Sequence, residues 1–414
     1  MNPTQKQFSQ NRGASRKQIP ISMQRKILQI FNRYLEYGGE EGSVGRIEHV
    51  LHDIFQIDIF YNSTEEQLQR PFGKWRMPGW MICNQQILDQ LRKTQELLKY
   101  DVWLIHNVFP AISVKVYELA AELDVRVIQY LHNYRFGCAA ATCFRDEKIC
   151  QDCNPNNFKP AIKHRCWRGS LPATWAMTRA LRYFWDNELH SCINVYIAIS
   201  EKQKQIHVEW GIPAEKIFVI RHFLDASGGL TSIPPEQGDI LFLGRLVKEK
   251  GVELLIKAWS MTERSGRILR IVGDGPEMSA LRNLVQQLQL TDVVFEGFVP
   301  HSEQAAHWAK ASFVVAPSVW YEPFGMVVLE AWKNNRPILT TNIGSFPEMI
   351  NHEVNGWLAP TTPAEFAHVL QDAINASSFY QVMGNNGRME LQEKYNTKEW
   401  IRAFDAVYTK ILPQ

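Results

Sequence analysis

Apolar residues in this chain gather in short, nearly unbroken runs. The first is Lys26-Ile-Leu-Gln-Ile-Phe31. Others are Ile57-Asp-Ile-Phe-Tyr61, Val102-Trp-Leu-Ile-His106, Val125-Arg-Val-Ile-Gln-Tyr130 and Val195-Tyr-Ile-Ala-Ile199. Runs of this length predict buried strands. Helical spacing of apolar positions lies between them, near 85–99, 112–124 and 202–210. Strands alternating with helices predict a parallel sheet covered on both faces. Residues 226–238 (Ala-Ser-Gly-Gly-Leu-Thr-Ser-Ile-Pro-Pro-Glu-Gln-Gly) then break the series with linker composition. A second series follows, with strands at Ile240–Leu243, Leu269–Val272, Val293–Phe295, Phe313–Ala316 and Pro337–Thr340. Its helices fall near 251–261, 277–289, 302–310 and 325–334. The pattern predicts two doubly wound α/β domains, 25–225 and 239–396, and a last helix over 397–414. Such domains bind ligands at the carboxyl ends of their strands, here in a cleft between the two.

Composition narrows the class. The chain has 414 residues, 45% hydrophobic and 21% charged, which excludes a mainly disordered or fibrous protein. The formal net charge of +2 argues against a nucleic-acid partner. Residues 1–24 are polar and basic and read as a flexible tail. Lacking the apolar core of a secretory signal, and with no apolar run long enough to span a bilayer, the chain is expected in the cytoplasm. There its seven cysteines suit thiols or metal ligands better than disulfides.

The loops carry the chemistry. A P-loop is absent, and Gly273-Asp-Gly275 begins a dinucleotide pattern that Met278 breaks. That argues against a nucleotide triphosphatase and a nicotinamide dehydrogenase. Gly38-Gly39 follows the first strand and would let backbone amides approach an anion. Gly244, Arg245 and Lys250 follow the first strand of the second domain, and an Arg fork with a Lys point charge suits a diphosphate. Gly273-Asp-Gly-Pro276 fits a strand end with Pro276 opening a helix. In Tyr321-Glu-Pro-Phe-Gly-Met-Val-Val-Leu-Glu-Ala331, a helix is expected to start near Gly325. The amides of Phe324 and Gly325 would then face a phosphate, and Glu322 and Glu330 could accept from ligand hydroxyls.

Taken together, the Glu322–Glu330 motif, Gly244-Arg245 with Lys250, Gly273–Pro276 and Gly38-Gly39 resemble the retaining glycosyltransferases of family 4. Leu131-His-Asn-Tyr-Arg135 and Cys150-Gln-Asp-Cys153 are similar to a bacterial, surface-polysaccharide branch of it. The resemblance implies the GT-B fold, two Rossmann-like domains facing a central cleft, with an acceptor-side first domain and a nucleotide-sugar-binding second one. It implies a sugar nucleotide donor (UDP-, GDP- or ADP-linked) and a glycan or lipid-linked acceptor. Arg245 and Lys250 would neutralise the departing diphosphate, so no cofactor is expected for catalysis. Glu330 would hold the ribose, Glu322 would face the transferred sugar and β-phosphate, and Gly38 and Gly39 would line the donor phosphate. His132 would contact the donor sugar, and His106 would line the acceptor side. The chain departs from the family pattern in its acidic Gly-Gly-Glu-Glu-Gly loop, in Gly344-Ser-Phe-Pro-Glu348 where a second glycine is common, and in the irregular amphipathicity of Val44–His52. Two rivals are a nucleotide-sugar epimerase of the same fold and a non-catalytic sugar-nucleotide-binding protein.

Two further features stand apart. Five cysteines fall within 138–166, in an insert over 136–170 that has little apolar content. Cys138, Cys150, Cys153 and Cys166 form the best quartet for a structural zinc, with Cys143 or His164 as substitutes. Free thiols or a redox pair compete with that reading. From Lys159 to Arg182 there are six basic residues and no acidic one, with Trp167 and Trp175 among them. This suits a helix packed with its bases in solvent, or peripheral contact with an anionic membrane at its inner face, where a lipid-linked acceptor would be met.

Overall fold

The computed structural model describes residues 25–33 and 39–412. The basic tail and Gly38 lie outside the described residues. The first domain opens with β1 (Lys26–Arg33), α1 (Gly39–Leu51) and β2 (Gln56–Ser63). Two short helices follow, α2 (Thr64–Gln69) and α3 (Gly73–Trp80), then α4 (Gln85–Leu98), β3 (Val102–Asn107), α5 (Val116–Glu122) and β4 (Arg126–Tyr130). The cysteine-rich insert holds a hairpin, β5 (Phe144–Arg145) with β6 (Lys148–Ile149), and α6 (Lys159–Lys163). Then come α7 (Leu171–Asp186), β7 (Val195–Ala198), α8 (Glu201–Glu209) and β8 (Ile217–Val219).

The second domain runs β9 (Asp239–Leu243), α9 (Val252–Trp259), β10 (Leu269–Val272), α10 (Met278–Gln287), β11 (Val293–Gly297) and α11 (Ala305–Lys310). It continues with β12 (Ala311–Ala316), α12 (Met326–Lys333), β13 (Ile338–Thr341) and β14 (Gly356–Ala359). The helices α13 (Pro363–Asn375), α14 (Tyr380–Lys394) and α15 (Thr397–Ile411) close the chain.

Among the described residues each domain has a six-stranded parallel sheet. The second has the order β11-β10-β9-β12-β13-β14, the Rossmann arrangement. The first has the order β2-β1-β3-β4-β7-β8, which is flavodoxin-like, a refinement of the Rossmann-like expectation. In both, the order reverses beside the first strand. The switch points therefore lie between β1 and β3, and between β9 and β12. Loops after these four strands must splay apart there, and that opens a crevice.

The strands are buried as their composition predicts: every residue of β3 and β12 is buried. The α1 helix buries Val44, Ile47, Val50 and Leu51, so its irregular pattern still covers one face. The last helix returns to the first domain. Phe404 and Tyr408 of α15 pack on Phe55 at 5.9 and 4.8 Å between ring centroids, and Asp405 pairs with Arg25. Glu348 of the second domain accepts from the amides of Glu201 and Lys202 (2.9 and 2.8 Å), the open first turn of α8 in the first domain. A carboxylate at a helix start is stabilising there, and it ties the two halves together.

The insert is held by packing. Phe136 and Phe158 are buried in the first-domain core, and Trp185 Nε1 donates to the Phe136 carbonyl at 2.8 Å. Among the described residues no three His, Cys, Asp or Glu side chains converge to hold a metal ion. Cys138, Cys143, Cys150, Cys153 and Cys166 nevertheless lie within electrostatic reach of one another. Cys153 and Cys166 pack against the main first-domain core, whereas Cys138 and Cys143 sit with Tyr134 and Ile206 in a separate cluster. Cys138 and Cys143 are paired thiols. The Cys138 thiol is lowered to about 6, chiefly by its hydrogen bond from Cys143.

Candidate active site

The site is built at the two switch points. Beyond β12 the chain winds through residues 317–325 before α12 begins. Gly325 caps the helix with φ of +82°, a left-handed conformation, and a Cβ there would lie 2.5 Å from the Phe346 ring. No side chain caps α12, so its first amides face the crevice. Glu322 lies in this turn and is buried. Its Oε2 accepts from Lys250 Nζ at 2.7 Å, Ser318 Oγ at 3.0 Å and Trp320 Nε1 at 3.1 Å. Lys250 arrives from the turn after β9 and also lies 5.7 Å from the Trp320 ring centre. Three donors on one oxygen fix the carboxylate and hold the ammonium at the crevice.

Arg245 lies in the same turn and is exposed. Its loop is braced by the next one: Leu246 N donates to the Asp274 carbonyl at 2.9 Å, and Gly244 N to that of Val272 at 3.1 Å. Pro276 falls in a turn before α10, which begins at Met278, so it does not open the helix as expected. Glu330 lies in the second turn of α12. Withdrawal from water raises its carboxyl above the ordinary value, and His301, Arg46, Lys250 and Lys333 pull it back.

The first domain contributes a histidine stack. His132 follows β4, and its Nε2 lies 2.8 Å from Nδ1 of His106 on β3. His106 is buried against His132, and among the described residues its Nε2 has no hydrogen-bond partner. The His132 ring stacks on Tyr130 at 4.8 Å and on His222 at 5.9 Å. His222 in turn meets Phe324 edge-on at 5.2 Å and so links the stack to the second domain. Burial holds His132 down to about 3, with Arg46 adding to the effect, and His106 and His222 lie well below their ordinary value. All three are neutral near pH 7, so they can donate and accept without adding charge. Gly39 starts α1 beside this region, and Glu40 accepts from Asn133 Nδ2 at 3.0 Å.

Sequence reasoning missed Arg46, His222, Ser318 and Trp320. Arg46 of α1 acts electrostatically on His132, His222 and Glu330, so it joins the two halves of the site. Its position seven residues after Gly39, on the helix that follows the switch-point loop, was the available signal. His222 lies in the connection between domains, where no motif marks it.

The departure at 344–348 has a structural account. Ser345 Oγ donates to the Phe324 carbonyl at 2.7 Å, and Ser345 N to that of Glu322 at 3.1 Å. The serine braces the motif from behind. Gly344 adopts φ of +67°, and a Cβ there would stand 2.6 Å from Glu322 N. That neighbour is backbone and cannot yield. Gly344→Ala should therefore cost about 2 kcal/mol or more in stability and displace Glu322. Denaturant unfolding checks this, and an unchanged midpoint would refute it.

Comparison with known proteins agrees with this geometry. Residues 54–227 match the family model Glycosyltransferase Family 4, and residues 231–390 match Glycosyl transferases group 1. An uncharacterized glycosyltransferase of Methanocaldococcus jannaschii is 35% identical over 205 residues, 49% of this chain and 50% of that protein. A glycosyltransferase of Escherichia coli named for colanic acid biosynthesis is 32% identical over 165 residues, 37% of this chain and 41% of its own. The chain spans about half the length of the curated relatives it matches. Among solved structures, Anabaena HepE in complex with UDP superposes with a TM-score of 0.67 at 17% identity, over 93% of this chain and 100% of that one. Sucrose-phosphate synthase from Thermosynechococcus elongatus superposes with 0.69 at 17% identity, over 94% and 99%. At such identities the structures speak for the fold. With two family models covering both domains, motif loops at both switch points and this shared shape, the chain belongs to glycosyltransferase family 4 and has the GT-B fold.

Proposed function

We propose that the protein is a retaining glycosyltransferase. It moves a hexose-type sugar from a nucleotide-diphosphate sugar to a glycan or lipid-linked acceptor, in polysaccharide or glycoconjugate biosynthesis. The observation that carries this reading is the meeting of Lys250, Glu322 and Glu330 at the carboxyl ends of β9 and β12, with Arg46 of the first domain in electrostatic reach of both Glu330 and His132.

The chemistry follows from charge. As the bond from anomeric carbon to phosphate breaks, the sugar becomes oxocarbenium-like and the diphosphate gains negative charge. Arg245, Lys250 and the first amides of α12 stabilise that charge, each by about 3 kcal/mol if they act as oxyanion-hole donors do. Glu322 keeps Lys250 oriented. Glu330 accepts from the ribose hydroxyls. His132 offers the sugar the ring nitrogen that His106 does not use. For retention, the acceptor hydroxyl attacks from the face the phosphate leaves. Its oxygen bonds to the anomeric carbon, and its proton goes to the departing phosphate oxygen. The HepE structures with UDP and with UDP-glucose make a UDP-sugar the first donor to test. No helix among the described residues is long and apolar enough to cross a membrane, and a site at the inner membrane face suits a lipid-linked acceptor.

The test is nucleotide release from UDP-, GDP- and ADP-sugars, with and without EDTA. Release from one donor, unchanged by EDTA and lost in Glu330→Ala, is expected. Conversion of a donor to its epimer without release would replace the transferase reading. Saturable binding with neither reaction would leave a binding protein.

A further inference from the structure

The first domain carries a basic face with exposed aromatic rings on α3, α6 and α7. The sequence pattern pointed to half of it. The other half comes from α3, which packs against α7. Trp75 of α3 is 86% exposed and Phe72, just before it, is 72% exposed. Large apolar side chains this open are unusual on a protein surface. Phe72 also has φ of +60°, a conformation that bulky residues rarely adopt. On α7, Leu171 and Trp175 are 47% and 48% exposed, while Ala176, Met177, Ala180, Leu181 and Phe184 face the core. The α7 helix thus has a second apolar strip that the protein does not cover.

Charge around these rings is mostly positive, Asp186 beside Arg182 being the acidic exception in the groove. Residues 70–80 contain Arg70, Lys74 and Arg76 and no acidic residue. Residues 159–185 contain Lys159, Lys163, Arg165, Arg168, Arg179 and Arg182 and no acidic residue. All nine are exposed, whereas the whole chain carries a net charge of only +2. Arg179 lies over Trp175 at 4.8 Å, so cation and ring are presented together. At the foot of Trp175 a groove of about 410 Å³ runs between α6 and α7, lined by Phe158, Ile162, Trp175, Arg179, Arg182 and Tyr183. An open face that mixes aromatic rings with many cations matches one environment best. Its rings suit the headgroup boundary of a bilayer, and its bases suit anionic lipid.

We propose that the α3–α6–α7 face docks the protein on an anionic phospholipid membrane, with Phe72, Trp75 and Trp175 entering the headgroup layer and the surrounding Lys and Arg residues binding lipid phosphate. The inference does not depend on the donor site, and vesicle binding is read without any turnover.

The experiment is co-sedimentation of the full chain with phosphatidylcholine vesicles, with and without added phosphatidylglycerol. Binding is expected only where phosphatidylglycerol is present, and it should fall steeply as salt is raised. A Phe72→Ser, Trp75→Ser pair and a separate Lys74→Gln, Arg76→Gln, Arg179→Gln triple should each weaken it at least about tenfold. These side chains are exposed, so folding and nucleotide release from the donor should persist. A Lys257→Gln, Arg402→Gln control removes exposed charge elsewhere and should leave binding intact. Absence of binding at low salt, equal binding to phosphatidylcholine, or loss in the control but not in the face variants would overturn the proposal. So would a dimer in solution without vesicles that the Trp75 variant dissolves, since a second copy would then cover the face.

Discussion

Lys250→Ala should lower turnover by about 10²–10³-fold, the loss seen when one donor to a developing oxyanion is removed. Its ammonium sits 2.7 Å from Glu322 and beside the first turn of α12, where a departing diphosphate would be met. The same substitution should cost stability. Glu322 is buried, and without Lys250 its charge is left to Ser318 and Trp320, two neutral donors. Breaking a buried pair costs about 3 kcal/mol, reduced here by those two hydrogen bonds. Adding Glu322→Gln should restore most of the stability, since the stranded charge is gone, and none of the turnover. Nucleotide release and denaturant midpoints on the two single variants and the double separate the effects. A Lys250→Ala protein with undiminished turnover would remove this residue from the chemistry.

The second large effect is loss of stability in acid. His106, His132 and His222 are neutral in the fold and pack with Tyr130, and Arg46 acts on the last two. Their unfolded value is 6.5, and that of His132 in the fold is about 3. Below pH 6.5 the unfolded chain therefore takes up protons that the folded one refuses. Stability from this source is full above pH 6.5 and falls as pH drops toward 3. At pH 5 His132 alone costs about 2 kcal/mol, and His106 and His222 act in the same direction. His207, held down to about 4 by burial, adds to the slope. Thermal unfolding at pH 7, 6 and 5, at constant salt, should show the loss. His222→Phe keeps a ring in the stack and removes one titrating group, so its slope should be shallower by about one proton. An unchanged slope would mean that the fold does not shift the protonation of His222. Between pH 6 and 8 these residues stay neutral, so turnover should show no break there from the stack.

The sequence determined the architecture because its signals are local. Apolar runs such as Val102–His106 and Phe313–Ala316 are long enough to bury a strand on both faces, and they became β3 and β12. Gly325 and the Glu322 turn ended β12 and started α12 where expected, because turn and cap chemistry act within a few residues. What distant parts of the chain bring together was not legible. No spacing says that Lys250 would pair with Glu322, that Arg46 would reach across to Glu330, or that His222 would complete a stack with His132. The five cysteines share one insert and stay within electrostatic reach of one another, but only the fold shows that Phe136 and Phe158 anchor that insert in the first-domain core. The flavodoxin-like order of the first sheet was likewise beyond a pattern reading, since run and helix spacing is the same for either strand order. Strands and caps follow from neighbours in the chain. The site and the docking face follow from which helices the two sheets bring side by side.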